Sequence, residues 1–213
     1  MSINHILNQL RDEKKVFITR DELMEYSKRY HYPFRNVINY LTSQQSLIEL
    51  FGDLYYIKSH KEVKNEELDR TFFQLLIDAL EKKGITNSYF GLHTALKLNN
   101  MIDKDTGTIY LILDRNFNNP SLELNGRQFN FIKLNQNLFS FGIIEDGIRY
   151  SDPEKSILDL TLLWNYNGKH ERRIFLEISN YKKFLSLDKL RNYAGHYPEA
   201  VQIIIKHYLT ENG

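Results

Sequence analysis

Apolar positions in the first sixty residues recur at helical spacing three times and then shift to a shorter period. Ile3, Ile6, Leu7 and Leu10 mark a helix over about residues 2–11, with Ser2 placed to cap it. Val16-Phe17-Ile18 is a short extended run. Thr19 followed by Glu22 forms a capping box, which opens a second helix through about Tyr30 with Leu23, Met24 and Tyr26 on its apolar side. His31-Tyr32-Pro33 breaks the pattern, because proline disfavours helical geometry in the residue before it. A third helix follows over about residues 34–45, with the stripe Phe34, Val37, Ile38 and Leu41 spaced i, i+3, i+4, i+7. Leu47–Ile57 reads as two strands around Gly52-Asp53, a Gly-X pair suited to a two-residue type II′ turn. Helix, short strand, helix, turn, helix, hairpin is the order of a winged helix-turn-helix. A small helical domain with a hairpin and no nucleic-acid role is the plainer alternative.

The polar stretch 59–67, SHKEVKNEE, reads as a boundary or the start of a connecting helix. Leu68, Phe72, Leu75, Leu76, Ala79 and Leu80 continue a long helix to Lys83, ended by Gly84, that is placed to bridge two domains. Beyond it the pattern is mixed. Tyr89–Leu98 reads as helical and Thr108–Leu113 as a buried strand. Leu122–Leu124 and Gln128–Leu134 flank Asn125-Gly126, a strong hairpin signal. Leu138–Ile144 and Ile148–Tyr150 flank a second turn at residues 145–147. A helix then opens with Ser151 as cap, Glu154 as its capping-box partner and Pro153 in the first turn. Ser186 starts another helix, and Pro198 opens the last, where Ile203-Ile204-Ile205 also suits a strand. The predicted class is therefore α+β: a winged helix-turn-helix over residues 1–65 followed by a mixed α+β domain over residues 66–213.

Composition narrows the function classes. The absence of cysteine excludes disulfides, thiolate zinc sites and cysteine nucleophiles. No apolar run is long enough to span a bilayer, and the opening MSINHILNQLRDEKK lacks a signal-peptide core, so the expected location is the cytoplasm with no membrane partner. The formal charge is only +1, so any nucleic acid must be met by a local patch. Phosphate loops, H-E-x-x-H and G-x-S-x-G motifs are absent, and no two of the seven histidines stand at i, i+3 or i, i+4. No metal site and no cofactor is expected. Asp159, Glu171 and Glu177 loosely imitate the acidic set of a metal-dependent nuclease if Ile174–Ile178 is a strand, but no lysine follows Glu177 at two residues. Asp152 and Glu154 are explained by capping.

The positive case lies on the third helix. With its apolar stripe inward, its outer side carries Arg35, Asn36, Asn39, Thr42 and Ser43, with Tyr40 and Gln44 oblique. Arginine suits guanine edges, asparagine and glutamine suit adenine edges, and hydroxyls suit phosphates. No acid falls between residues 35 and 45. Lys14, Lys15 and Arg20 lie before or at the start of the second helix, and Lys58 follows the hairpin. Residues 1–65 hold ten Lys or Arg against eight Asp or Glu, a small excess, so strong DNA binding needs dimerisation or another basic surface.

These segments resemble a known family. VFITRDELMEY and NVINYLTSQQSLIELFGDLYYI are similar to the winged helix of AbiEi-type antitoxins, the type IV toxin–antitoxin family of abortive phage infection. SYFGLHTALKLNNMID with the strand TIYLIL, and FGIIEDGIRYSDPEKSILDLTLL, resemble that family's second half, and Asp152-Pro153-Glu154-Lys155 with Asp159 is the most specific piece. The resemblance covers most of residues 15–165. It implies a transcriptional regulator that represses its own operon by binding operator DNA. It also implies a C-terminal domain that counteracts a nucleotidyltransferase-type toxin encoded beside it, and no enzyme activity. The DNA-reading role carries over to Arg35, Asn36, Asn39, Tyr40 and Ser43 and to Lys or Arg near the wing; a homodimer on paired half-sites is the expected assembly. One departure is that Phe51 precedes Gly52 and Asp53 follows it, where the family's wing often carries arginine. An acidic tip repels phosphate, which keeps open a rival reading. In that rival the winged helix mediates protein assembly through an exposed patch of Phe51, Tyr55 and Tyr56.

Overall fold

The computed structural model describes residues 3–103, 107–118, 121–124 and 126–212. Ser2 and Asn125, expected to cap the first helix and to form a hairpin turn, lie outside the described residues. The chain is mixed α+β and divides into two compact units, Met1–Thr86 and Asn87–Gly213. Among the described residues, no helix is long and apolar enough to cross a membrane.

The first unit runs α1 (Asn4–Asp12), β1 (Phe17–Thr19), α2 (Arg20–Arg29), α3 (Phe34–Ser43), β2 (Leu47–Leu50), β3 (Leu54–Ile57), α4 (His60–Asn65) and α5 (Phe72–Lys82). The strands form one antiparallel sheet in the order β1-β3-β2. Ile6, Leu7 and Leu10 of α1 meet Leu23 and Tyr26 of α2, Val37 and Leu41 of α3, and Ile18, Leu47, Tyr55 and Ile57 of the sheet. Each such side chain removed from water contributes about 1.5–3 kcal/mol before entropy is counted. Thr19 makes the expected capping box with Glu22, and Pro33 holds the extended backbone just before α3.

The hairpin turn differs from expectation. Leu50 pairs with Leu54, so the loop is three residues long, with Phe51 and Gly52 both at positive φ, and is not a two-residue type II′ turn. Phe51 takes the left-handed conformation because its ring is buried there, at 4% exposure. The boundary between units also falls later than residues 65/66. Glu62 of α4 accepts from the Tyr56 hydroxyl at 2.6 Å, the Arg70 guanidinium lies 5.8 Å from the Tyr56 ring centroid, and Lys83 pairs with Asp53 at 2.6 Å. These ties hold α4 and α5 to the first unit, so α5 is not a free bridge.

The second unit contains β4 (Ser88–Phe90), α6 (Leu92–Leu98), β5 (Thr108–Leu113), β6 (Ser121–Leu124), β7 (Arg127–Lys133), β8 (Ile143–Asp146), β9 (Ile148–Ser151), α7 (Pro153–Tyr166), α8 (Glu171–Ser179), α9 (Leu187–Ala194) and α10 (Glu199–Asn212). Its sheet has the order β6-β7-β5-β4-β9-β8, parallel at β5–β7 and β4–β9 and antiparallel elsewhere. Residues 88–90 are therefore a strand, where the sequence pattern predicts helix from Tyr89. Phe90 pairs with Leu111, and α6 begins only after Gly91. A Cβ at Gly91 would come within 2.6 Å of Ile112 Cγ1, so the Ile112 side chain occupies the space a larger residue would need. Residues 154–161 of α7 are all buried, and the Ile203–Ile205 run is helical.

Candidate nucleic-acid interface

The outer face of α3 is built as its spacing predicts. Val37 and Leu41 are fully buried, while Arg35, Asn36, Asn39, Thr42, Ser43 and Gln44 are exposed. Arg35, Asn36, Asn39 and Gln44 make no side-chain hydrogen bond or ion pair with any described residue, so their donors and acceptors are available. Two of the expected contact residues are committed elsewhere. The Tyr40 hydroxyl donates to Asn4 Oδ1 at 3.0 Å, tying α3 to α1, and Ser43 Oγ donates back to the Tyr40 carbonyl at 2.8 Å.

The ladder registers divide the basic residues into two groups. At the hairpin end, the Arg20 amide donates to the Asp53 carbonyl at 2.7 Å, and the Arg20 guanidinium lies 5.6 Å from the Phe34 ring centroid at the start of α3. Arg20, the N-terminal half of α3 and the hairpin tip thus share one end of the sheet. At the other end, the Ile57 amide donates to the Val16 carbonyl at 2.9 Å, and this is where Lys14, Lys15 and Lys58 lie. Three residues of strand separate the two ends, about 10 Å. The ten expected DNA contacts are thus spread over both ends of the sheet, with α3 running from Phe34 beside Arg20 to the segment whose Ser46 carbonyl accepts from the Lys58 amide.

The acidic tip is compensated. Lys83 Nζ donates to both carboxylate oxygens of Asp53 at 2.6 Å, so the tip presents a paired carboxylate. Phe51, Tyr55 and Tyr56, the patch that would favour a protein-assembly role, are buried at 4%, 3% and 3% exposure. Asp21 and Glu25 of α2 are exposed, so the positive character of this end rests on Arg20 and Arg35.

In the second unit, the segment Asp152-Pro153-Glu154-Lys155 with Asp159 forms a buried polar network. Asp152, and not Ser151, is the N-cap of α7; its carboxylate accepts from the Lys155 amide at 2.9 Å. Ser151 ends β9 instead, with its hydroxyl 2.8 Å from that of Ser156. Glu154 is not a capping-box partner; it reaches across to accept from the Ser186 amide at 2.7 Å. Lys189 then bridges Asp152 at 2.9 Å and Glu154 at 3.1 Å, locking α9 onto the start of α7. Lys155 and Asp159 are wholly buried and 3.4 Å apart, and Asp159 also accepts from the hydroxyls of Tyr89 at 2.9 Å and Tyr197 at 2.6 Å. Lys155 Nζ lies 4.8 Å from the ring centroids of both Tyr89 and Phe141. Burial raises the Asp159 carboxyl above its usual range, opposed by Lys155 and the two tyrosines, and burial lowers the Lys155 ammonium. Lys155 and Asp159 are wholly buried, and among the described residues no polar side-chain atom of this network is buried without a partner, so we assign it a structural role. Its sequence signal is the i, i+4 spacing of Lys155 and Asp159.

The loose nuclease-like set does not assemble. Residues 174–178 are helical; Glu177 pairs with Lys169 at 2.9 Å, Glu171 with His207 at 2.8 Å, and Asp159 with the partners above. Among the described residues no group of three or more His, Cys, Asp or Glu is placed to hold a metal ion. Three further residues join the basic end of the first unit without a sequence signal: Arg11, His60 and Arg70 line a hollow with Lys14, Lys15 and Lys58.

No protein-family model matches the chain, and no curated protein matches it. Among solved structures, the RV2827C protein from Mycobacterium tuberculosis is similar in fold, with a TM-score of 0.54 at 11% identity over 98% of this chain and 76% of that one. The chain shares a mixed α+β fold with that protein, and at this identity the likeness extends to the fold alone.

Proposed function

We propose that the chain is a DNA-binding transcriptional regulator whose first unit is a winged helix-turn-helix with α3 as the recognition helix. The observation that carries this reading is the exposed, acid-free face of α3, on which Arg35, Asn36 and Asn39 have uncommitted donors and acceptors. Three helices packed on a three-stranded sheet, with Arg20 and the β2–β3 tip at the same end as the start of α3, support it. In this reading Arg35 meets a guanine edge, Asn36 and Asn39 meet adenine edges, and Arg20 meets backbone phosphate. Two such modules on paired half-sites supply the affinity that one weakly basic module lacks. The operator is that of its own operon. The second unit acts as the antitoxin domain against a nucleotidyltransferase-type toxin, and no catalytic step is assigned to it; the Asp152–Lys155 segment supports this part only through its resemblance to AbiEi-type antitoxins. The protein-assembly alternative loses its main feature, because its aromatic patch is buried.

The test is binding of the purified chain to fluorescent DNA from its own promoter beside unrelated DNA of equal length, across salt. A sequence-reading repressor binds the promoter more tightly by at least about 10³-fold near physiological salt. Equal binding that salt abolishes on both DNAs would overturn the reading.

A further inference from the structure

The basic end of the sheet holds cations that the fold leaves without counter-ions. A hollow of about 350 Å³ opens between the end of α1, the loop into β1 and the chain entering α4, lined by Arg11, Lys14, Lys15, Lys58, His60 and Arg70. Its two acids are already taken. Glu62 is buried and accepts from the Tyr56 hydroxyl at 2.6 Å, the Ser59 amide at 2.8 Å and the Asp69 amide at 3.0 Å; Asp69 pairs with Lys61 at 2.6 Å. Lys15 is paired with Glu22, and Arg70 with Asp78.

Three cations remain. Arg11 is half-buried, and its guanidinium donates to the Lys58 carbonyl at 3.0 and 2.8 Å and faces the His60 ring, with no ion pair to a carboxylate among the described residues. Burial lowers its pKa, the mark of a charge with too little compensation. Lys14 and Lys58 have no ion partner among the described residues. Lys14 also sits at φ 54°, the left-handed position after α1 that favours glycine. A half-buried cation and two free ones around a concave space call for a multivalent anion.

We propose that this hollow binds the phosphate groups of a small polyphosphate ligand, either free or carried on a nucleotide. The volume suits a small molecule. The hollow lies at the end of the sheet away from Arg20 and the start of α3, beside the segment that follows α3, where the Lys58 amide donates to the Ser46 carbonyl at 2.9 Å, and variants at Lys14 and Lys58 test it separately from Arg35 and Asn39. Arg11 and Lys58 grip the anion from the floor, and Lys14 closes it from the rim.

The experiment is calorimetric titration of the full chain with pyrophosphate, with ADP and with a short duplex, at ionic strength held constant by sodium chloride. Lys14→Gly removes one cation at a backbone position glycine prefers, and Lys58→Met keeps the apolar stem, so the double variant is expected to fold. Circular dichroism checks this. The expected result is pyrophosphate binding that the double variant weakens roughly tenfold or more, while Arg35→Ala with Asn39→Ala leaves it unchanged. Tighter binding of ADP than of pyrophosphate identifies the nucleotide-borne source, and equal or weaker binding identifies free polyphosphate. Absence of pyrophosphate binding at millimolar concentration, or equal binding by the folded double variant, overturns the proposal. So does a double variant that loses only duplex binding, because the hollow is then part of a DNA surface.

Discussion

Replacing Lys155 by methionine isolates the charge of the buried pair in the second unit. Methionine keeps the unbranched shape packed against Tyr89, Phe141 and Tyr197, so the change removes the ammonium and little else. At 3.4 Å from Asp159, the lost attraction is about 5 kcal/mol at an effective dielectric of 20. Asp159 escapes part of that cost by taking a proton in the folded state. The penalty is then capped at roughly 1.4 kcal/mol per pH unit above the unfolded carboxylate value near 3.9, or about 4 kcal/mol at pH 7 and about 1.5 kcal/mol at pH 5. The direction follows from the raised Asp159 carboxyl, which loss of Lys155 raises further. A raised folded value gives stability that is fully present below the unfolded value and lost as pH rises through the folded one. The gap between variant and parent therefore widens from pH 5 to pH 7. Urea unfolding followed by the fluorescence of Trp164, the chain's one tryptophan and a residue of α7, reads this unit directly. A gap that stays flat across that pH range, or falls below about 1 kcal/mol at pH 7, would show that the pair is not charged in the folded protein.

Gly142→Ala should destabilise the same unit by about 1–3 kcal/mol in the same assay, because the residue sits at φ 62° and a new Cβ would lie 2.9 Å from Lys155 Cβ and 3.0 Å from the Tyr193 ring. Thr19→Ala removes the capping box of α2 and should cost about 1 kcal/mol in thermal unfolding followed by circular dichroism; no change would mean that Glu22 alone holds the helix start. Lys83→Met unmasks Asp53 at the hairpin tip and should weaken promoter binding a few-fold at low salt, with Asp53→Asn restoring it; equal affinity would place the tip away from DNA.

Local rules make much of the first unit legible. The i, i+3, i+4, i+7 stripe of α3 and the Thr19–Glu22 box depend only on neighbours in sequence, and both are present. Three other expectations depend on distant partners. Tyr89 and Phe90 fit the start of a helix, but pairing with Ile112 and Leu111 draws them into a strand. Ser151 fits an N-cap, but its place in β9 passes that role to Asp152. The hairpin lengthens to three residues because Phe51 is held in the interior. The candidate site divides in the same way. The α3 face is local and follows the periodicity, whereas the hollow joins Arg11 of α1, Lys58 after β3 and Arg70 before α5, residues distant in sequence that tertiary contacts bring together.

In the proposed function, α3 reads DNA through Arg35 and Asn39. Its most direct test is the affinity of Arg35→Ala with Asn39→Ala for the chain's own promoter, beside the parent, near physiological salt. Each lost bidentate contact costs about 1–3 kcal/mol, so the double variant should bind the promoter at least about tenfold more weakly while its binding to unrelated DNA changes little. Promoter affinity equal to the parent's would show that α3 is not the recognition helix.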